Sequence, residues 1–353
     1  VKLYSVTLTS AKSDIIAPSL KSVKFADALV IVDLGTDEKT RQIIKNMAGK
    51  RPVYYIYDDP TGCCAEWRNR GLEEAYKRGA DFAVMIDTDE RLFLNGVDIR
   101  KSLLLSPESR TFAVQNSNGL YLKNVFFRLP APKYYSKGHV HEALEGVECM
   151  SILDKVRFTE IEKTREQVEH RVRTNDIPGL EKQMEEDPTN TRWVYYYGSS
   201  WENIGEWQKA LDAYDKCASM QGPPEEKAWA CFRAAICCEQ LKRPDEGLKE
   251  CIKGMEIDAK MAELQWMAGV MCVRLNRLDD AIAWSNMAIP QGMLIGSPYP
   301  QLRAAFKAPQ GLFEGPFEVL EHCLKMKGSP QVEEARKRAQ AAREARIKWQ
   351  EGK

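Results

Sequence analysis

The chain reads as an α/β fold followed by an all-α one, and three observations carry that reading. Short β-branched runs alternate with helical stretches through about residue 158. The pattern then turns to long helical periodicity with charged faces, and within that half small residues recur at spacings of 37 and 34. The expected domains are 1–158, a linker helix and turn over 159–190, about three helical repeats over 191–290, and a loop with a helical tail over 291–353.

Taken in order, Leu3–Thr9 is a β-branched run that predicts a buried strand. It starts so early that no signal peptide is expected. A helical stretch follows over 15–25, and then Ala28–Asp33 is a second apolar run ending on an acid, with a turn at Gly35-Thr36-Asp37 and Thr40 beyond it. Val53–Tyr57 gives a third strand, Cys64–Lys77 an amphipathic helix carrying Arg68-Asn69, and 82–86 a fourth strand. Strand and helix in alternation predict a Rossmann-like, mostly parallel sheet whose binding face lies at the carboxyl ends, near Thr9, Asp33 and Asp87.

The fourth strand stops on Asp87-Thr88-Asp89-Glu90. Carboxylates at alternate positions of an extended tip share a side, and such a pair can hold a hard cation together with substrate phosphates. Against this stands the plain reading of an acidic turn, since D-x-D is common. His139 and His141 are two of only four histidines, and on an extended segment both rings would face one way, as ligands to a manganese-like ion or as ordinary polar packing.

Composition narrows the class. With 51 basic and 51 acidic side chains in 353 residues the formal charge is zero, which argues against a general polyanion binder and leaves nucleic acid unsupported as a partner. The ten cysteines show no C-x-x-C spacing, and neighbours such as Cys237-Cys238 do not readily bridge, so reduced core thiols are expected. No apolar run approaches the ~20 residues a membrane helix requires, so a cytoplasmic, membrane-free setting is the expectation.

In the second half, 160–173 reads as a charge-rich helix and Asp176-Ile177-Pro178-Gly179 as a turn. Aligning Gly198, Ala235 and Gly269 brings Ala210, Gly247 and Ala281 into register twelve positions later, which matches the tetratricopeptide period with a short insertion at Gly222-Pro223-Pro224. Trp193, Tyr195 and Tyr196 read as exposed, whereas Trp229, Cys231, Trp266 and Trp284 read as core. Such repeats present a peptide or protein, or else buttress the other domain or form a homodimer seam; the residues leave both open. The segment 296–315 reads as loop, and Val332–Gln350 as a solvated or partner-facing helix.

Several segments together resemble family-2 glycosyltransferases with the GT-A fold. Asp33-Leu34-Gly35-Thr36-Asp37 with Thr40 is similar to their D-x-G-S-x-D-x-T turn, and Cys64-Ala65-Glu66-Trp67-Arg68-Asn69, then Ala75, then Ile86-Asp87-Thr88-Asp89-Glu90 resemble the segment that follows in order and spacing. Phe126-Phe127-Arg128 and Gly138-His139-Val140-His141-Glu142 resemble a later segment of the branch that carries helical repeats. The likeness spans roughly residues 3–145; Ser10-Ala11-Lys12 departs from it where many relatives have Asn-Glu, which bears on nucleotide contacts from that loop.

The resemblance implies a metal-dependent glycosyltransferase using Mn2+ or Mg2+ and a nucleotide sugar, a UDP-sugar by analogy, in one inverting displacement. It implies Asp33 at the base with Thr9 beside it, Arg68 near the base or diphosphate, and Asp87 at the ribose or a metal-bound water. Asp89 and His141 would be metal ligands. The acceptor proton needs a base, for which Glu142, Glu90 and His139 are the candidates. Read without the resemblance, Arg68 is a helix-surface cation, Asp33 a turn cap and Thr9 a strand end. A peptide or protein side chain is the expected acceptor, with a glycan or nucleobase as alternative. A further alternative is a repeat scaffold whose sheet domain is a relic.

Overall fold

The computed structural model describes residues 1–10, 15–59, 63–117, 121–134, 139–141, 144–145, 149–292 and 308–350. They form two compact units, residues 1–163 and 164–353. The division falls five residues beyond the expected edge, because the last strand of the first unit runs on to Glu160.

The first unit is an eight-stranded sheet in the order β3-β2-β1-β4-β7-β6-β8-β5. Its strands are β1 (Leu3–Thr9), β2 (Ala28–Asp33), β3 (Val53–Tyr57), β4 (Phe82–Met85), β5 (Glu90–Phe93), β6 (Thr111–Asn116), β7 (Leu122–Arg128) and β8 (Met150–Glu160). The four strands expected from sequence pair in parallel, with Thr9 opposite Asp33 and Asp33 opposite Tyr57, so those ends share one edge. The rest is mixed: β4–β7, β6–β7 and β5–β8 are antiparallel and β6–β8 parallel.

The continuous apolar run of β2 has a physical cause, since both of its faces are covered. Leu29 and Ile31 pack with α1 (Ile16–Ser22) and α2 (Glu38–Ala48), while Val30 packs with α3 (Cys64–Lys77) on the other side. Burying each such side chain contributes about 1.5–3 kcal/mol. Close approach of α3 to the sheet depends on Gly71, where an added Cβ would lie 2.5 Å from Val6 Cγ1 and 3.1 Å from Val32 Cγ2. Asp37 caps α2 by accepting from the Thr40 amide at 2.7 Å, and Gly35, at φ +93°, makes the preceding turn. A short α4 (Ile99–Leu104) precedes β6.

The second unit is helical throughout its described residues: α5 (Arg165–Arg171), a π turn over Val172–Asp176, then α6 (Ile177–Glu186). The turn expected at Asp176–Gly179 is therefore helix. Pro178 sits in the first turn of α6, directly after the π turn, where the backbone is already helical. Three antiparallel pairs follow: α7 (Thr191–Asn203) with α8 (Trp207–Ser219), α9 (Pro224–Gln240) with α10 (Pro244–Ile257), and α11 (Ala262–Arg274) with α12 (Leu278–Ala288). Gly198, Ala235 and Gly269 fall in the first helix of each pair and Ala210, Gly247 and Ala281 in the second, so the 37 and 34 spacings are those of a tetratricopeptide-like helical repeat. A Cβ on Gly247 would approach Met271 Sδ to 2.7 Å, which is why the position is small.

Two expectations for this half are corrected. Trp193 is 1 % and Tyr195 8 % exposed, so neither is a surface aromatic; Tyr195 accepts at its hydroxyl from Trp229 Nε1 at 3.0 Å inside the core. Much of 296–315 lies outside the described residues, but α13 (Pro309–Leu312) and α14 (Gly315–Met326) are helical, and α14 packs on α12. The tail helix α15 (Val332–Gln350) has the expected bounds. No disulfide links the cysteines, and eight of the ten are buried. No helix among the described residues is long and apolar enough to cross a membrane.

Candidate functional site

The carboxyl ends of β1, β2, β3 and β4 gather most of the residues singled out from sequence. Strand β4 ends at Met85, and Asp87–Glu90 then closes a turn in which Glu90 N donates to Asp87 O at 3.1 Å while Glu90 Oε2 accepts from Asp87 N at 3.0 Å. The D-x-D pair is thus not an extended tip with both acids on one side. The two carboxylates meet different cations of the chain, Asp87 two and Asp89 one.

Asp87 is held from two elements. Arg68 on α3 donates through both Nη atoms, at 2.9 and 3.1 Å, in a two-pronged pair, and Lys123 on β7 donates at 2.7 Å. The same ammonium reaches Glu90 Oε1 at 2.6 Å. Arg68, Asp87, Glu90 and Lys123 therefore form one part-buried network, in which Glu90 is the buried member. Burial alone would raise the Asp87 pKa, but Arg68 and Lys123 outweigh it and hold the carboxyl well below its ordinary value. Burial and the Asp87 charge push Glu90 upward despite Lys123, and the two carboxylates hold Lys123 protonated, overcoming its burial. Asn69 fixes the neighbouring loop, donating to Tyr134 O at 3.0 Å and accepting from Tyr134 N at 2.7 Å.

Asp89 pairs with Lys163 at 2.7 Å, and its carbonyl accepts from Ile161 N at 2.8 Å. Among the described residues no three His, Cys, Asp or Glu side chains converge as a metal-binding group. Asp87 is engaged by two cations and Asp89 by one, and the Asp89 side chain is about a fifth exposed. A small divalent ion needs only one or two protein carboxylates when phosphates and water complete its shell.

His139 and His141 lie in a half-exposed bend, and His141 has φ +52°. The segment is not extended, so the argument that alternation places both rings together does not hold. Glu142 lies outside the described residues. Glu90, with its side chain 3 % exposed and both oxygens accepting hydrogen bonds, anchors the turn rather than facing an acceptor.

Asp33 is the turn cap that its residue type allows. One oxygen accepts from Gly35 N at 3.1 Å and Thr36 N at 2.7 Å, and the other from Arg41 Nε and Nη2 at 3.2 and 3.0 Å. Burial would raise its pKa, yet the hydrogen bonds from Thr36 and Arg41 lower it. Thr9 beside it is buried and serves the same corner through its carbonyl, which accepts from Leu34 N at 2.8 Å.

Lys123, Lys163, Arg41 and Tyr57 were not identified from sequence. Lys123 lies near the start of β7, two positions before its apolar run, and Tyr57 ends β3 opposite Asp33; both are signals of a kind, though neither names a partner.

No family model matches the chain, and no curated protein matches it. Among solved structures it is similar to MamA from Desulfovibrio magneticus RS-1, at 13 % identity over 51 % of this chain and 94 % of that one, with a TM-score of 0.38. It is also similar to YrrB, described as a TPR protein with an unusual peptide-binding site, at 15 % identity over 49 % and 77 %, TM-score 0.35. A third is the Sgt2 TPR domain from Aspergillus fumigatus, at 12 % identity over 39 % and 79 %, TM-score 0.32.

Proposed function

We propose that the first unit transfers a sugar from a nucleotide-sugar donor to an acceptor by a single displacement with inversion, and that the acceptor is a peptide or protein side chain presented by the helical repeats. The observation that carries this reading is the meeting of Arg68, Asp87, Glu90 and Lys123 at the carboxyl end of parallel strands, the edge where open α/β sheets take their ligands. Departure of a nucleoside diphosphate leaves negative charge that fixed donors stabilise best. Arg68 and Lys123 are such donors, oriented by Asp87, whose carboxylate would also accept from a ribose hydroxyl.

Asp89 would hold Mn2+ or Mg2+ together with the donor phosphates, and the ion would supply further charge compensation there. Lys163, now paired with Asp89, would turn to the phosphates when the ion binds. The acceptor proton would go to Glu142, His139 or Glu90, of which Glu90 is buried with both oxygens accepting hydrogen bonds and His139 is half-exposed.

The test is release of nucleoside diphosphate from a panel of sugar nucleotides with manganese, in the presence of peptide mixtures. Turnover is expected, with Asp89→Ala lowering it at least about 100-fold, in the range of losing one transition-state contact. No turnover from any donor, together with no calorimetric binding, overturns the proposal in favour of a repeat scaffold with a relic sheet domain.

A further inference from the structure

The resemblance places a uracil-reading acid at Asp33, but the geometry at that corner presents different chemistry. The Asp33 side chain is fully buried, and its two oxygens already accept four hydrogen bonds, from two backbone amides and from Arg41. A carboxylate offers about four lone-pair directions, so none is left for the N3–H of a uracil. What faces outward is Arg41, with its side chain 39 % exposed. It spends Nε and one Nη2 hydrogen on Asp33, which leaves the end-on fork formed by Nη1 and the other Nη2 hydrogen. Next to it stands Tyr57, 67 % exposed at the end of the neighbouring strand, with the Arg41 guanidinium 5.7 Å from its ring centre and the Tyr55 ring stacked behind at 6.1 Å.

A pinned guanidinium beside an exposed aromatic ring is a reader of flat groups that carry paired acceptors. Resting on the donor reading above, we infer that Arg41 and Tyr57 select the donor's nucleobase, and that the base is one with two adjacent acceptors on an edge, as guanine has in O6 and N7 and cytosine in O2 and N3. Uracil and adenine interpose a donor and lack such an edge. Asp33 acts as a positioning residue: it holds the fork in place and does not touch the base. Tyr57 gives the base an aromatic surface, and base–aromatic contacts of this kind tolerate either ring size.

The experiment is calorimetric titration of the full chain with GDP, CDP, UDP, ADP and inorganic pyrophosphate in the presence of manganese, repeated on Arg41→Lys and Tyr57→Ala. The expected result is GDP or CDP bound at least tenfold tighter than UDP and ADP, the GDP and CDP arms telling the two edges apart. Arg41→Lys keeps the charge beside Asp33 but loses the fork, so it should erase that ratio and leave pyrophosphate affinity within twofold. Tyr57→Ala removes an exposed ring without opening the core, and should weaken all four nucleotides several-fold while sparing pyrophosphate. Tightest binding of UDP or ADP, or a preference untouched by Arg41→Lys, overturns the inference while the donor reading stands. If no nucleotide binds better than pyrophosphate, both fall together.

Discussion

Replacing Lys123 with Met removes the one cation that two carboxylates share, and the structure sets the size of the effect. The ammonium sits 2.7 Å from Asp87 and 2.6 Å from Glu90, and the side-chain exposures are 22 % for Lys123, 27 % for Asp87 and 3 % for Glu90. Breaking a buried ion pair by deleting one partner costs about 3–5 kcal/mol, and partial solvent contact of two of the three groups puts this case near the lower end, about 3 kcal/mol. For a unit of 163 residues that corresponds to a fall of roughly 6–12 °C in its melting temperature. The sign of the pH dependence follows from Glu90. Its pKa is already raised above the ordinary 4.5 in the folded chain, and losing Lys123 raises it further. A group that binds its proton more tightly when folded destabilises the fold above that raised value, and the penalty fades as pH falls through it. The deficit of Lys123→Met should therefore be smaller at pH 5 than at pH 7.5. Asp87 behaves oppositely: its lowered pKa contributes stability that is fully present above about 3.8 and is lost progressively as pH falls below that value. Urea titration of the intact chain, read by hydrogen exchange in β4 and β7 with α9 as internal reference, measures the difference. A deficit under about 1 kcal/mol at pH 7.5 is what a surface salt bridge would give, and it would refute the reasoning, as would a deficit that grows on acidification.

Gly71→Ala should lower stability by about 1–3 kcal/mol in the same titration, because the new methyl enters the space held by Val6 and Val32; a neutral result would mean that α3 can lift from the sheet at no cost. In the helical unit Glu202, 8 % exposed, accepts from Arg233 and, at 2.6 Å, from the Tyr214 hydroxyl. Glu202→Gln keeps the shape but strands the guanidinium, and chemical denaturation should show a loss of about 2–3 kcal/mol. Burial pushes the Cys217, Cys231 and Cys238 thiols up to about 12, so at pH 8 a thiol reagent should label only the half-buried Cys64 and Cys149 in the folded chain and all ten cysteines in denaturant. Fast labelling of α9 in the folded chain would count against the packing described.

The parallel half of the sheet and the repeat register were legible in sequence because both are written locally. Leu29, Val30, Ile31 and Val32 form an unbroken apolar run that only a doubly covered strand needs, and Gly198, Ala235 and Gly269 keep their spacing because each lies under a neighbouring helix. The same spacings place Tyr195, Phe232 and Trp266 at equivalent positions, a sign of shared packing that the outward reading of Tyr195 overlooked. The site was legible only as residue types. Asp87 could be named from the end of its strand, but its partners come from 19 positions before it and 36 after it, so nothing near it in sequence says whether it meets a metal or a cation of the chain itself. Asp33 shows the reverse. Its partners Gly35, Thr36 and Arg41 lie within eight residues, and the capping role was there to be read.

The way β8 ends decides where the first unit can be cut from the second. A polypeptide stopping at residue 158 would strip Glu160 from its place opposite Glu90, Ile161 from the Asp89 carbonyl and the Lys163 ammonium from the Asp89 carboxylate. Strand β5 is an edge strand paired with β8 in the described sheet, so that shortened piece would begin to fray at the acids themselves. One carried through Lys163 keeps them all in place.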